Sequence, residues 1–473
     1  MMKILVAIAS YGVEHQAYLK KLINEYKSMS YSIDIVVLSN IPKELGSDIE
    51  VRVGLPAKNP RSLPFAHKEI FAKRMRDYDL FIYSEDDHLI KQKNIEAFLR
   101  MTKVLPENEI AGFFVYEESP AGKKYCAIHS MFHWMPNSVK SIGEYTFARF
   151  TNEHSACYML TQKQLQKAIA SGGFLVPPHE GRYDLQCTAA TDPYTQCGFT
   201  KFICISHIED FLIYHLPNVY VTDSKFQLSV GSRDLQLQIN ALLSINGQKT
   251  SQSELFPTKT NLNTAKWDKF YYPGLWKKKD SVLELIPEDT QNILSVGCGW
   301  AETETKLVQK GYRVVGIPLD SVIAESAKSR GIEVVCPNFQ RAKEALKNEK
   351  FDCILFTDVL QHLPNPVKIL TEYLKLLQEK GYVIVTVPNF MCAKYLYELS
   401  RTRELYKLRK VFDKTNLHFT TSKLVTEWFT QSGLRVVKTR YNINGRLRQL
   451  TIMSLGLLDK YFAPEILFLT KKS

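Results

Sequence analysis

Short, wholly apolar runs alternate along this chain with longer stretches that are apolar on one side. "KILVAIAS" near the start reads as a buried strand, "EHQAYLKKLINEYKSM" as a helix, and "IDIVVLSN" as a second strand. "FAHKEIFAKRMRDY" is again helical and "DLFIYS" again a strand. Such alternation predicts a mostly parallel sheet covered by helices, with ligands collecting beyond the carboxyl ends of its strands. The pattern weakens between about 225 and 285, where "RDLQLQINALLSI" predicts one amphipathic helix and the polar "NGQKTSQSELFPTKTNLNT" a linker. A second αβ run then opens with "NILSVGCGWAE". It continues through "YRVVGIPLD", "IEVVCPN", "FDCILFTDVLQHL" and "GYVIVTVPN".

The expected organisation is therefore two different αβ domains, 1–225 and 285–440. A helical segment and linker over 226–284 joins them, and an extension over 441–473 closes the second. A chain of 473 residues is long for a single core, which agrees. The 45% apolar and 23% charged fractions are ordinary for a globular protein, and a net charge of +12 reports only that partners are anionic. Nine cysteines without metal-type spacing read as reduced thiols of a cytoplasmic protein. No run is long enough to span a membrane, and the opening residues lack a cleavage site. The apolar tail "LTIMSLGLLDKYFAPEILFLTKKS" reads as an element closing the second domain, and admits a peripheral contact with the inner face of a membrane.

Glu85, Asp86 and Asp87 follow directly on the strand "DLFIYS". Alternation along an extended chain sends Glu85 and Asp87 to one side and Asp86 to the other. Crowded carboxylates repel unless a cation neutralises them, which Mg²⁺ or Mn²⁺ with diphosphate oxygens would do. A local alternative makes Ser84 a helix N-cap, with Asp87 completing a capping-box-like pair.

The second domain carries the sharper signature. A strand, then Gly297-Cys298-Gly299, then a helix near Ala301 forms a turn where backbone can approach a ligand closely. Over residues 285–440 the series resembles the class I S-adenosylmethionine-dependent methyltransferases. The resemblance implies that Gly297 and Gly299 hold the methionine part of the cofactor, Ala301 standing where the family has its third glycine. Pro318 occupies the usual ribose-binding acid position, which passes that part to Asp320; Asn338 would contact adenine. "FTDVLQHLPNP" resembles the family segment "DVLEHLPDP", with Asp358 and His362 kept and Gln361 in place of Glu. Methyl transfer needs alignment and removal of the acceptor proton, and His362 is the candidate base; its alternative is a histidine bonded to backbone at a helix start.

The first domain, over about 2–220, resembles the GT-A glycosyltransferases. "SEDD" is similar to their DXD motif in the EDD variant of some N-acetylglucosaminyltransferases. The resemblance makes Asp87 the metal ligand (Mn²⁺ or Mg²⁺), puts Asp86 on the nucleotide ribose or sugar, and places Ser10 and Tyr11 of "VAIASYG" near the base. Glu117, Glu118 and Asp184 are candidates to deprotonate the acceptor, and "HEGRYDLQCTAATDPY" reads as an irregular acceptor loop. A late histidine often completes the metal shell; "ISHIEDFLIYHLPN" offers His207, taken as the ligand, and His215.

The two resemblances imply a bifunctional enzyme. It would transfer a sugar from a nucleotide-sugar donor and methylate a hydroxyl of a glycan or lipid-linked glycan acceptor, as in surface polysaccharide or lipopolysaccharide assembly. The alternative is a nucleic-acid methyltransferase whose first domain only binds substrate, although no nucleic-acid-binding motif is present and no nucleic-acid partner is expected.

Overall fold

A computed structural model describes residues 1–125, 132–222, 234–245, 280–335, 338–401, 407, 411–443 and 458–473. They fall into two compact units, one built from residues up to 222 with 234–245, the other from residue 280 onward. The expected linker around 246–264 lies outside the described residues.

The first unit is centred on a five-stranded sheet in the order Cys157–Thr161, Leu80–Glu85, Lys3–Ala9, Ser32–Ser39, Ile49–Val53. The last four strands run parallel and Cys157–Thr161 is antiparallel to its neighbour. Ile4 to Ile8 and Leu80 to Tyr83 are fully buried on both faces, as the uninterrupted apolar runs require. The helix Gln16–Lys27 packs Leu19, Leu22, Ile23 and Tyr26 inward. "FAHKEIFAKRMRDY" gives only the helix Ala66–Lys73, preceded by the 3₁₀ turn Pro60–Phe65. Two smaller four-stranded sheets complete the unit. One has the order Glu109–Ala111, Thr200–Cys204, Tyr145–Phe150, Trp134–Ile142; the other has His88–Leu89, Leu212–His215, Phe114–Glu118, Lys124–Tyr125.

The expected helix in "RDLQLQINALLSI" exists as Leu235–Ser244, capped by Asp234, which accepts from the Leu237 N–H at 3.1 Å. It is part of the first unit rather than of a connecting segment: buried Gln238 accepts a hydrogen bond from the Trp134 indole at 3.0 Å.

The second unit is a seven-stranded sheet in the order Glu333–Val334, Arg313–Pro318, Asn292–Cys298, Phe351–Thr357, Leu377–Pro388, Glu465–Lys472, Leu434–Asn442. The first five strands are parallel, and Glu465–Lys472 runs antiparallel between its two neighbours. Within the apolar tail, Glu465–Lys472 is thus an interior strand of this sheet, with Ile466, Leu467 and Phe468 buried. No helix among the described residues is long and apolar enough to cross a membrane.

Candidate functional sites

Glu85 ends its strand, Asp86 and Asp87 turn, and His88 begins a two-residue strand. The helix that follows starts only at Gln92, where Asn94 accepts from the Lys91 N–H at 2.7 Å. Ser84 therefore lies within a strand, and the capping-box reading of the acids is overturned.

Strand register assembles the surroundings of Asp87. His215 pairs opposite His88, and Leu212–His215 runs parallel to Phe114–Glu118, which brings Glu117 beside His215. Asp87 Oδ1 lies 2.5 Å from His88 Nδ1, and Asp87 Oδ2 is 3.5 Å from His215 Nε2. His215 Nδ1 donates to Glu117 Oε1 at 2.6 Å, and the other Glu117 oxygen accepts from the Val221 N–H at 2.7 Å. This fixes the tautomer of His215 so that Nε2 points at Asp87, the arrangement in which a carboxylate orients a metal-binding imidazole. Asp87, His88 and His215 can each offer one donor atom, all within 4.8 Å of one another. One carboxylate with two imidazoles suits Mn²⁺ better than Mg²⁺, which prefers oxygen throughout. His15, at the start of the helix Gln16–Lys27, adds an Nδ1 contact of 3.0 Å to Asp86 Oδ1.

The charges agree with this geometry. Burial would raise Asp87, but the nearby His88 and hydrogen bonds with His215 and His88 hold it well below the carboxylate range. Burial would lower His215, yet hydrogen bonds with Asp87 and Glu117 outweigh it and raise its pKa to about 9. Burial, reinforced by the charge of Asp87, pushes Glu85 up to about 7.

Several expected assignments change. His207 is exposed on a turn, bonded to Ser206 at 3.0 Å with its ring tilted against Tyr145, so His215 takes its place beside Asp87. Glu117 is fully buried and committed to His215 and Val221, which removes it as an acceptor base and makes it the orienting carboxylate. Asp184 caps the helix Leu185–Thr195 by accepting from the Cys187 N–H at 3.0 Å, so "HEGRYDLQCTAATDPY" is half helix rather than all loop. Glu118 is half-buried; its backbone N–H donates to Asn218 Oδ1 at 2.8 Å and its carbonyl accepts from Asn218 Nδ2 at 2.7 Å. Tyr11, two residues beyond the central strand Lys3–Ala9, is 53% exposed, whereas the Ser10 side chain is buried. The same loop is pinned by the Gly12 N–H donating to Asn40 at 2.7 Å and by Lys43 donating to the Gly12 carbonyl.

In the second unit the site forms where neighbouring strands Asn292–Cys298 and Phe351–Thr357 end. Gly297, Ala301 and Asp358 all adopt left-handed backbone, with φ of 76°, 63° and 52°. Non-glycine residues held there cost energy and cluster where a ligand is bound. Ala301 thus keeps the conformation expected of the glycine it replaces. The Asp358 N–H donates to the Thr386 carbonyl at 3.1 Å, and Thr386 Oγ1 donates to Asp358 Oδ1 at 3.2 Å, fixing the turn. Gly299 is buried in the loop, and buried Trp300 between it and Ala301 has an indole N–H without a hydrogen-bond partner among the described residues. A backbone cradle with a spare donor fits the amino-acid end of S-adenosylmethionine.

Asp320 and Asn338 both sit after strands as expected, and both are helix N-caps. Asp320 Oδ1 accepts from Val322 and Ile323 at 2.8 and 2.9 Å, and Asn338 accepts from Arg341 at 2.9 Å. Burial pushes Asp320 up to about 7 against those two hydrogen bonds. A raised folded-state pKa means the folded chain keeps a proton the unfolded chain has released, so stability falls as pH rises from about 4 to about 7. Asp320→Asn keeps the cap acceptor without the charge. At pH 8 this variant should be more stable than the wild type by on the order of a few kcal/mol, with the two melting curves converging at pH 4. Equal melting at both pH values would show that Asp320 does not titrate in this way, and weaker cofactor binding would mark a ribose contact.

His362 lies in the 3₁₀ turn Leu360–His362, buried, with a hydrogen bond donated to the backbone carbonyl of Asn416; burial pushes its pKa down to about 3 against that bond. It is neutral at pH 7 but a weak base, and the geometry matches the backbone-bonded alternative better than proton abstraction.

Residues 271–439 match the family model described as a methyltransferase domain. A ubiquinone biosynthesis O-methyltransferase of Colwellia psychrerythraea is 26% identical over 152 residues, which is 31% of this chain and 61% of that protein. A second, from Albidiferax ferrireducens, is 29% identical over 111 residues, 22% of this chain and 44% of that protein. The chain spans less than two thirds of the length of these curated relatives. A SAM-dependent methyltransferase from Thermotoga maritima, described as a possible histamine N-methyltransferase, aligns with a TM-score of 0.31 and 18% identity, covering 41% of this chain and 86% of that one. Residues 271–439 are a methyltransferase domain of the class I, S-adenosylmethionine-dependent type.

Proposed function

We propose that the chain is a bifunctional transferase. The first unit moves a sugar from a nucleotide donor, and the second methylates a hydroxyl of the same glycan or its lipid-linked precursor. The observation that carries the sugar-transfer half is the Asp87–His88–His215 cluster, oriented by Glu117 at the carboxyl edge of a parallel sheet. A divalent ion held there would neutralise the diphosphate leaving group. Asp86, bonded to His15, would take the ribose or sugar, and exposed Tyr11 would take the base. In the second unit the Gly297–Ala301 loop and Asp358 would position S-adenosylmethionine, whose sulfonium supplies an activated methyl group, so that alignment is the main demand on the protein. The O-methyltransferase names of the curated relatives support a hydroxyl acceptor. A setting in surface polysaccharide or lipopolysaccharide assembly, at the inner face of the membrane, would bring both reactions to one substrate.

The test is mass spectrometry of products after incubating the full chain with Mn²⁺, S-adenosylmethionine and a panel of nucleotide sugars on extracted glycans. Products heavier by one sugar and by one methyl group are expected. Methyl transfer to RNA in a parallel reaction, with the glycans untouched, would overturn the reading in favour of a nucleic-acid methyltransferase.

A further inference from the structure

A cavity of about 220 Å³ opens beside the three acids, with Glu85, Asp87, His88, His154 and Lys201 among its lining residues. Its volume is that of roughly seven waters, room for one sugar ring. Phe113, Phe114 and Phe150 form an apolar wall suited to the C–H face of such a ring.

Lys201 is the unusual member. It lies on the strand Thr200–Cys204 and is only 6% exposed. Its stem crosses the backbone of Gly112, where a Cβ would sit 2.3 Å from Lys201 Cε and 2.4 Å from Cγ. Any other residue at 112 would block the path, so the glycine is what admits a lysine here. The ammonium donates to the Glu153 carbonyl and to Ser155 Oγ, both at 3.1 Å. A lysine has three donors, which leaves one.

No carboxylate forms an ion pair with this ammonium among the described residues. The Glu153 side chain, which acts on it electrostatically, is itself bonded to Arg182 at 3.0 Å. Asp87 is matched by His88 and His215, and Glu85 accepts from Gln186 at 3.1 Å and faces His154 at 3.5 Å. Burial pushes Lys201 down to about 8, which still leaves it mostly charged at pH 7. A buried charge without a counter-charge is costly unless a ligand supplies one.

We propose that the cavity takes a carboxylate-bearing sugar ring, a uronate, whose carboxylate is bound by Lys201. This rests on the reading of the first unit as a sugar transferase. The carboxylate belongs either to the donor sugar or to the acceptor, and two binding arms distinguish them.

In the first arm the full chain with Mn²⁺ is titrated with UDP-glucuronate and with UDP-glucose. In the second, free glucuronate and free glucose are compared by saturation-transfer NMR. A charge-assisted hydrogen bond predicts a preference for the uronate of about tenfold or more. Preference in the first arm assigns the carboxylate to the donor, and in the second arm alone to the acceptor. Lys201→Met and Lys201→Gln should erase the preference for the uronate over the neutral ring. A lysine serving only to tie residues 153–155 would instead lower the melting temperature without altering selectivity. Absence of any uronate preference in the wild type overturns the proposal, and needs no variant to fold. If UDP-glucose still binds in that case, the sugar-transferase reading stands alone. Selective glucuronate binding without affinity for either UDP-sugar would leave the carboxylate site and remove that reading.

Discussion

Asp87→Ala should lower metal-dependent turnover of nucleotide sugar by about three orders of magnitude or more, because it removes the carboxylate donor of the candidate metal cluster. Binding of S-adenosylmethionine should be unchanged, since those groups lie in the other compact unit. Titration with Mn²⁺ gives a readout independent of sugar chemistry, and the variant should lose measurable binding. The wild type adds a pH signature. His215 must be neutral to ligate, and its pKa is about 9, so a proton competes with the metal over the physiological range. Apparent Mn²⁺ affinity should therefore rise about tenfold per pH unit between pH 7 and 9 and level off above. Retention of full sugar transfer by Asp87→Ala would remove the metal reading altogether. A flat pH profile with normal turnover would remove His215 from the ligand set while sparing Asp87.

How much of this was legible in the sequence depends on the range of the interaction. The strands Lys3–Ala9, Leu80–Glu85, Asn292–Cys298 and Phe351–Thr357 follow from apolar runs that only a doubly covered sheet can bury. The expected split of Glu85 and Asp87 from Asp86 holds only in part: Glu85 and Asp87 line the cavity, but the chain turns at Asp86 and Asp87, and Asp87 Oδ2 lies 3.6 Å from the same His15 Nδ1 that meets Asp86. The partners of Asp87 are not local. His207 and His215 stand in one segment, and only the register of Leu212–His215 between His88–Leu89 and Phe114–Glu118 selects the second. That register also turns Glu117 from a candidate base into the group that orients His215. His88, adjacent to the acids, joins Asp87 only through the turn at Asp86 and Asp87, which the short acidic motif does not signal. Asp184, Asp320 and Asn338 show the converse difficulty. Residues that suit ligands also suit helix N-caps, and a single sequence carries no signal that separates the two. For Lys201 the only trace is Gly112, eighty-nine positions earlier, whose meaning appears once the two strands pair.

Gly297→Ala should cripple the second unit while leaving the first intact. Two costs add at this position. Alanine at φ of 76° is strained by about 1–2 kcal/mol. Its Cβ would also lie 2.3 Å from Val359 Cγ2, an overlap that forces a shift worth about another 1–3 kcal/mol. The loop that must move is the one that would cradle the cofactor, so S-adenosylmethionine affinity should fall by about thirtyfold or more, with the melting transition lowered in parallel. Val359→Ala separates the contributions. Alone it leaves a void where Val359 is buried and should destabilise by about 1–3 kcal/mol. Combined with Gly297→Ala it opens the space the new methyl needs. The double variant should then be more stable than the two losses added together, a favourable coupling that only direct contact explains. Because the left-handed backbone remains, cofactor affinity should recover only in part. Mn²⁺ binding by the first unit serves as the internal control and should hold its wild-type value throughout. If Gly297→Ala melts and binds cofactor as the wild type does, the glycine turn is not the cradle, and the cofactor site must be sought elsewhere in the second unit.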